Sequence, residues 1–354
     1  MPATSWRNLL KIQSNVKPQV SPTMQVNDDW RRWIGENLML GTSPEAIAAI
    51  LVKSNVSQAN ARTEIDAALR SPYLQAARRL ANRVNKRDWV LNIQAQLNRL
   101  YDEGIERREK LSGEDFLQQY YRTNRPVIIT GMLEHFPARQ KWNLDYFAQR
   151  FGEREVEVQF GREADPQYEL NSIAHKRKMP FGEYVEMVRT SGRTNDFYMT
   201  ANNDSLNSVA LKELFEDVGT LPEYLDDDPG RRGFFWFGPA GTVTPFHHDL
   251  TNNFMAQIIG RKKIKLMAPS DTPRVYNHRH CFTEVDARNI DLARFPAMAE
   301  VQVLECVLEP GEILFLPVGW WHYVEGLDMS VTLSTTNFRW PNDFYTNYPP
   351  NHDF

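Results

Sequence analysis

Of the eight histidines in this 354-residue chain, two stand where they can join a carboxylate around a metal ion. In Thr244-Pro245-Phe246-His247-His248-Asp249, an extended backbone points His247 and Asp249 to one side and His248 to the other, because strand side chains alternate with period two. A third donor, His322, follows the buried apolar strand expected within Pro310 to Leu316. Two imidazoles and one carboxylate form a facial set that leaves three metal positions open. That is what a non-haem Fe(II) oxygenase needs, two positions for a chelating keto acid and one for O2; a closed structural zinc site would want four ligands. Taken alone, His-x-Asp is short and common, and a surface pair with a separate core histidine accounts for it at least as well. The surrounding elements must decide.

Those elements change character along the chain. Residues 1–26 carry Pro, Ser, Thr, Asn and Gln without periodicity and read as a flexible arm. Residues 27–105 read as a small helical domain. Trp30, Ile34 and Leu38 fall at helical spacing, Gly41 ends that segment, Ser43-Pro44-Glu45 starts the next, and Ser57 and Pro72 open two more. The last is a long amphipathic run through Ala77, Leu80, Val84, Trp89, Ile93, Leu97 and Leu100. Residues 106–354 switch to strands after a capped helix at Ser112 to Tyr121, beginning with Pro126 to Gly131. Further strands are expected at Val156 to Phe160, Asp196 to Thr200, Gly233 to Phe237, Asn253 to Ile259, Lys263 to Met267, Val301 to Leu308, Glu312 to Leu316 and Met329 to Asn337. Many short strands with Gly and Pro turns predict an α+β chain whose larger part is a barrel or jelly roll.

Composition narrows the function classes. A hydrophobic share of 42% with nine Trp is that of a packed protein. A net charge of -4 argues against a dedicated nucleic-acid binder. Two cysteines, Cys281 and Cys306, build neither a disulfide framework nor a thiolate zinc site, so a reducing cytoplasm is the expected location. No stretch approaches the roughly 18 apolar residues of a membrane span.

Three blocks now weigh on the metal question: Gly241 to Asp249, Asn253 to Lys262, and Pro310 to His322 with its Trp-Trp-His. Through them, residues from about Arg125 to Trp340 resemble the JmjC-type, cupin-fold oxygenases that use Fe(II) and 2-oxoglutarate, most closely the branch containing the asparaginyl hydroxylase that inhibits hypoxia-inducible factor. The resemblance implies a double-stranded β-helix (jelly-roll, cupin) catalytic domain in which His247, Asp249 and His322 hold the iron. It implies that Lys262 pairs with the distal carboxylate of 2-oxoglutarate, with Thr244 and Tyr198 as hydroxyl partners, and that Asn253 and Asn337 flank the keto-acid end. Trp320 and Trp321 are expected to wall the cavity, with core packing the equal alternative for at least one of them. The implied activity is O2-dependent hydroxylation of a peptide or protein side chain.

The alternatives are a tRNA-base or small-molecule hydroxylase, with the basic run His175-Lys176-Arg177-Lys178 as its support, and a non-catalytic cupin-fold binding protein. Demethylation of methyl-lysine is less favoured, because no cysteine-rich reader accompanies the barrel. His248 between the ligands and Leu250 after them depart from the asparaginyl hydroxylase pattern, so the substrate is not carried over. Self-association, if present, is expected through the helical domain.

Overall fold

A computed structural model describes residues 26–100, 104–227 and 233–349, and all of the expected arm but Val26 lies outside these. The described residues form two compact units. The first holds α1 (Asp28–Met39), α2 (Pro44–Lys53), α3 (Gln58–Arg70) and α4 (Pro72–Asn98). Each of the first three begins at a polar cap: Asn27, Ser43 and Ser57 accept from the backbone N–H groups of Trp30, Ala46 and Asn60. Trp30, Ile34, Leu38, Ile47, Leu51, Ala61 and Ile65 make the core, joined by Val26, which the sequence assigned to the arm.

Two differences from expectation concern α4. Leu80, Val84, Trp89, Ile93 and Leu97 are exposed, and the helix packs instead through small residues such as the half-buried Ala77 and Ala81 and the buried Ala95. The same unit also takes in residues 270–276 and 290–301, which the sequence reading placed with the strands. They are held by polar contacts, Arg99 to Asp271 at 3.6 Å and the Arg274 guanidinium to the Asn92 side chain, that hydrophobic periodicity does not report.

The second unit is built on β1 (Glu106–Glu109), β2 (Val127–Thr130), β3 (Glu155–Phe160), β4 (Lys176–Pro180), β5 (Phe197–Tyr198), β6 (Phe234–Gly238), β7 (Val243–His248), β8 (Asn253–Ile259), β9 (Lys262–Met267), β10 (Asn277–Arg279), β11 (Phe282–Thr283), β12 (Leu304–Leu308), β13 (Ile313–Leu316), β14 (Trp321–Gly326) and β15 (Ser330–Thr335). One sheet runs β1-β2-β13-β8-β15-β6, a second β10-β11-β7-β14-β9-β12, and a small third β4-β3-β5. The elements the sequence reading missed include β1, β4, β10, β11, the β14 strand that carries His322, and two helices, Leu144–Phe151 and Phe181–Thr190.

Two apolar clusters hold this unit. One, with Ile264, Leu266, Leu314 and Leu316, draws on both six-stranded sheets. The other is aromatic and packs helical residues on the first sheet: the Phe116 ring lies 5.0 Å from Tyr224, 5.3 Å from Phe254 and 4.8 Å from Phe315. Because Phe116 is fully buried, Phe116→Ala is expected to cost about 3–5 kcal/mol. A urea midpoint unchanged by the substitution would contradict this packing.

Candidate metal centre

The three sequence-selected donors meet. One ligand atom each from His247, Asp249 and His322 lies within 4.8 Å of the others, with Nε2 of His247 3.7 Å from Oδ1 of Asp249 and the two imidazole centroids 4.0 Å apart. The fold brings them together by pairing. His247 on β7 sits opposite His322 on β14, and Asp249 follows directly after β7.

A bulge extends this site to Thr244. His247 pairs with His322 and Thr244 with Val324, so Pro245 and Phe246 on β7 oppose the single residue Tyr323 on β14. Strict alternation would send Thr244 and His247 to opposite faces; the extra residue brings both into one cavity. Proline suits that position because it has no N–H to leave unpaired. Phe246 turns to the Tyr323 ring, 6.0 Å away.

The donors are prepared electronically as well. Nδ1 of His247 lies 2.8 Å from the Pro245 carbonyl and Nδ1 of His322 2.9 Å from the Trp320 carbonyl. A carbonyl only accepts, so both Nδ1 atoms carry the hydrogen and both Nε2 lone pairs stay free for a metal. Burial, and then the neighbouring His247, push the His322 imidazole far below its ordinary pKa, which keeps it neutral. Burial opposes ionisation of Asp249, yet its carboxyl stays below the ordinary range, with the Asn253 amide donating to it. Asn253 donates to Oδ2 of Asp249 at 3.1 Å, leaving the other oxygen for a ligand. Two imidazoles and a carboxylate on one side of a cavity fit a divalent metal such as Fe(II).

That cavity has a volume of about 290 Å³, and its walls include Tyr198, Thr244, Asn253 and Lys262 beside the three donors. Lys262 is 2% exposed, and its ammonium donates to the Tyr198 hydroxyl at 2.9 Å. Burial drives its pKa down to about 7, and no carboxylate is paired with it among the described residues. Its neighbours in the run behave differently: Arg261 pairs with Asp328 at 2.8 Å and Lys263 with Glu305 at 3.0 Å. The turn before it needs Gly260, whose φ of +66° is left-handed and whose absent Cβ would strike the Met329 carbonyl.

Asn337 is not brought to this site. Along β15 and its extension, Thr332, Ser334 and Thr336 line the cavity, whereas Leu333, Thr335 and Asn337 line a different one of about 220 Å³. Alternation alone puts Asn337 on the wrong face, where its amide donates to the Asp226 carbonyl. Neither expected tryptophan lines the wall. Trp320 packs in the core with its indole on Asn124, and Trp321 packs against His248. Trp236, unremarked in the sequence, lines the cavity in their place, its indole donating to Ser334 at 2.8 Å. Phe282 stacks on His247 at 5.6 Å. The basic run at 175–178 is largely tied up: His175 with Asp165 at 3.0 Å, Lys176 with Glu157 at 2.8 Å and Lys178 with Glu155 at 3.6 Å.

Comparison with known proteins places this geometry. The chain is 37% identical over 250 residues to the lysine-specific demethylase JMJ30 of Arabidopsis thaliana, covering 68% of this chain and 55% of that protein. It is 32% identical over 238 residues to lysine-specific demethylase 8 of Xenopus tropicalis, covering 62% of this chain and 50% of the relative. It is also 29% identical over 246 residues to the tRNA wybutosine-synthesizing protein 5 of Gallus gallus, covering 66% and 76%. The chain thus spans about half the length of the two demethylases. No helix among the described residues is long and apolar enough to cross a membrane. With residues 113–344 matching the cupin-like domain, the chain belongs to the cupin-like domain family, within the JmjC cupin superfamily.

Proposed function

We propose that this chain is an Fe(II)- and 2-oxoglutarate-dependent oxygenase that hydroxylates a side chain of a peptide or protein in the cytoplasm. The observation that carries the reading is the placement of His247, Asp249 and His322 on the wall of the cavity that also holds the buried Lys262, which has no carboxylate partner among the described residues. Bound Fe(II), 2-oxoglutarate and O2 would supply the oxidising chemistry, with 2-oxoglutarate leaving as succinate and carbon dioxide.

The protein's own residues do the rest. Lys262 is placed to take the distal carboxylate of the keto acid, since a dicarboxylate entering a largely apolar cavity loses hydration and needs a fixed cation. The hydroxyls of Tyr198 and Thr244 can share that load. Asn253 orients Asp249, and the Pro245 and Trp320 carbonyls fix the two imidazoles. Trp236 and Phe282 exclude water from the reacting end.

For the substrate, the relatives named as lysine-specific demethylases favour a protein side chain. Demethylation is the same hydroxylation applied to an N-methyl carbon, which then departs as formaldehyde. The relative named for tRNA wybutosine synthesis supports a second reading, hydroxylation of a tRNA base, although the paired state of residues 175–178 removes the support first seen for it. Incubating the protein with Fe(II), ascorbate and 2-oxoglutarate tests the class: succinate above a metal-free control is expected, and its absence together with no metal-dependent binding of 2-oxoglutarate would point to a binding protein. On substrates captured from cell extract, one added oxygen on a peptide is expected. Loss of a methyl group, or oxygen on tRNA alone, would reassign the substrate.

A further inference from the structure

We infer that Asn252 and Asn342 form a clamp that fixes the separation of the metal-ligating side chains, making them positioning residues for the metal centre; the inference rests on the metal reading above. Asp249 follows β7 and His322 lies on β14 just past the 317–320 turn, and Asn252 ties that turn to the segment after Asp249. Its Oδ1 accepts from the Val318 N–H at 2.8 Å. The next N–H, of Gly319, donates to the Asp249 carbonyl at 3.2 Å, and the carbonyl after that, of Trp320, holds Nδ1 of His322. A shift of the 317–320 turn therefore displaces the backbone of one ligand and the ring of another together.

Asn342 grips Asn252 from the other side. Its Oδ1 accepts from the Asn252 N–H at 2.7 Å, and its Nδ2 donates to the Asn252 carbonyl at 2.9 Å and to the Thr336 carbonyl at 2.8 Å. Binding both the N–H and the C=O of one residue fixes its rotation as well as its place. Only a side chain with donor and acceptor on one short stem can do so, which is what an amide offers. The segment bearing Asn342 is itself anchored, since the Tyr121 hydroxyl donates to the Pro341 carbonyl at 3.0 Å. Asn252 is 2% exposed, so water does not readily replace a bond lost from its side chain.

The test measures Mn(II) affinity by anaerobic calorimetry on the intact chain, in wild type, Asn252→Ala, Asn342→Ala and Val185→Ala. The last removes buried bulk from helix Phe181–Thr190 and controls for general loss of stability. Both asparagine variants are expected to bind Mn(II) roughly 10- to 100-fold more weakly, the size usual for groups that orient ligands, with Val185→Ala at wild-type affinity. Because Asn342 is only half-buried, its variant keeps the test alive if Asn252→Ala does not fold. Wild-type affinity in a folded asparagine variant, or an equal fall in Val185→Ala, would overturn the clamp. A wild-type chain with no affinity for Mn(II), Fe(II) or Co(II) would overturn the metal reading itself, and the clamp with it.

Discussion

Replacing His247 by alanine is expected to reduce 2-oxoglutarate turnover to the assay background while leaving the chain folded. The two halves of that expectation have separate causes. Removing one of three donors leaves Asp249 and His322 as a two-point site that holds a divalent ion poorly and points it badly. For the fold the loss is small, because the half-buried ring gives up its bond to the Pro245 carbonyl, worth about 1 kcal/mol, and its stacking on Phe282. Circular dichroism and a thermal melt separate the two. Substantial turnover in a folded His247→Ala protein would remove this imidazole from the site.

Lys262→Met is expected to act in opposite directions on ligand binding and on the apo fold. Truncating the cation that would face a buried carboxylate should weaken 2-oxoglutarate binding by about 2–4 kcal/mol, or roughly 30- to 1,000-fold in Kd. In the empty protein the same cation is a burden: burial lowers its pKa from the ordinary 10.5 to about 7, so folding disfavours its protonated form. Between pH 7 and 10.5 the unfolded chain then holds more protons than the folded one. By linkage, the contribution of this group to stability rises with pH across that window. Methionine abolishes that slope and should leave the apo protein at least as stable as wild type at pH 7. For wild type, Kd for 2-oxoglutarate should climb above pH 7, because the free lysine must take up a proton to meet the carboxylate. Calorimetry in buffers of different ionisation enthalpy reads that uptake; a Kd flat from pH 6 to 9 would contradict it.

The donors were legible in the sequence because alternation relates His247 to Asp249 without any knowledge of the sheet. The starts of α2 and α3 were legible because Ser43 and Ser57 act within three residues of themselves. What escaped depended on pairing between distant strands. Thr244 shares a face with His247 only through a bulge that exists against β14, and the sequence placed it by resemblance rather than by alternation. Asn337 went astray for the converse reason: counting by twos back to Thr332 would have excluded it and found Ser334 and Thr336. The exposed stripe of α4 shows that apolar spacing marks a face without saying what covers it. Nothing local distinguishes Asn252 and Asn342 from other loop asparagines, because their bonds span 66 and 90 residues of chain.

The most direct test of the whole account is an anaerobic titration of the apo protein with Fe(II) and 2-oxoglutarate, followed by visible absorption. A 2-oxo acid chelated to Fe(II) gives a charge-transfer band that neither component gives alone. The band is expected to saturate at one equivalent of each in wild type, to need far more 2-oxoglutarate in Lys262→Met and to be missing in His247→Ala. No band in wild type with both components bound, or an undiminished band without His247, would contradict a keto acid meeting iron on these three side chains.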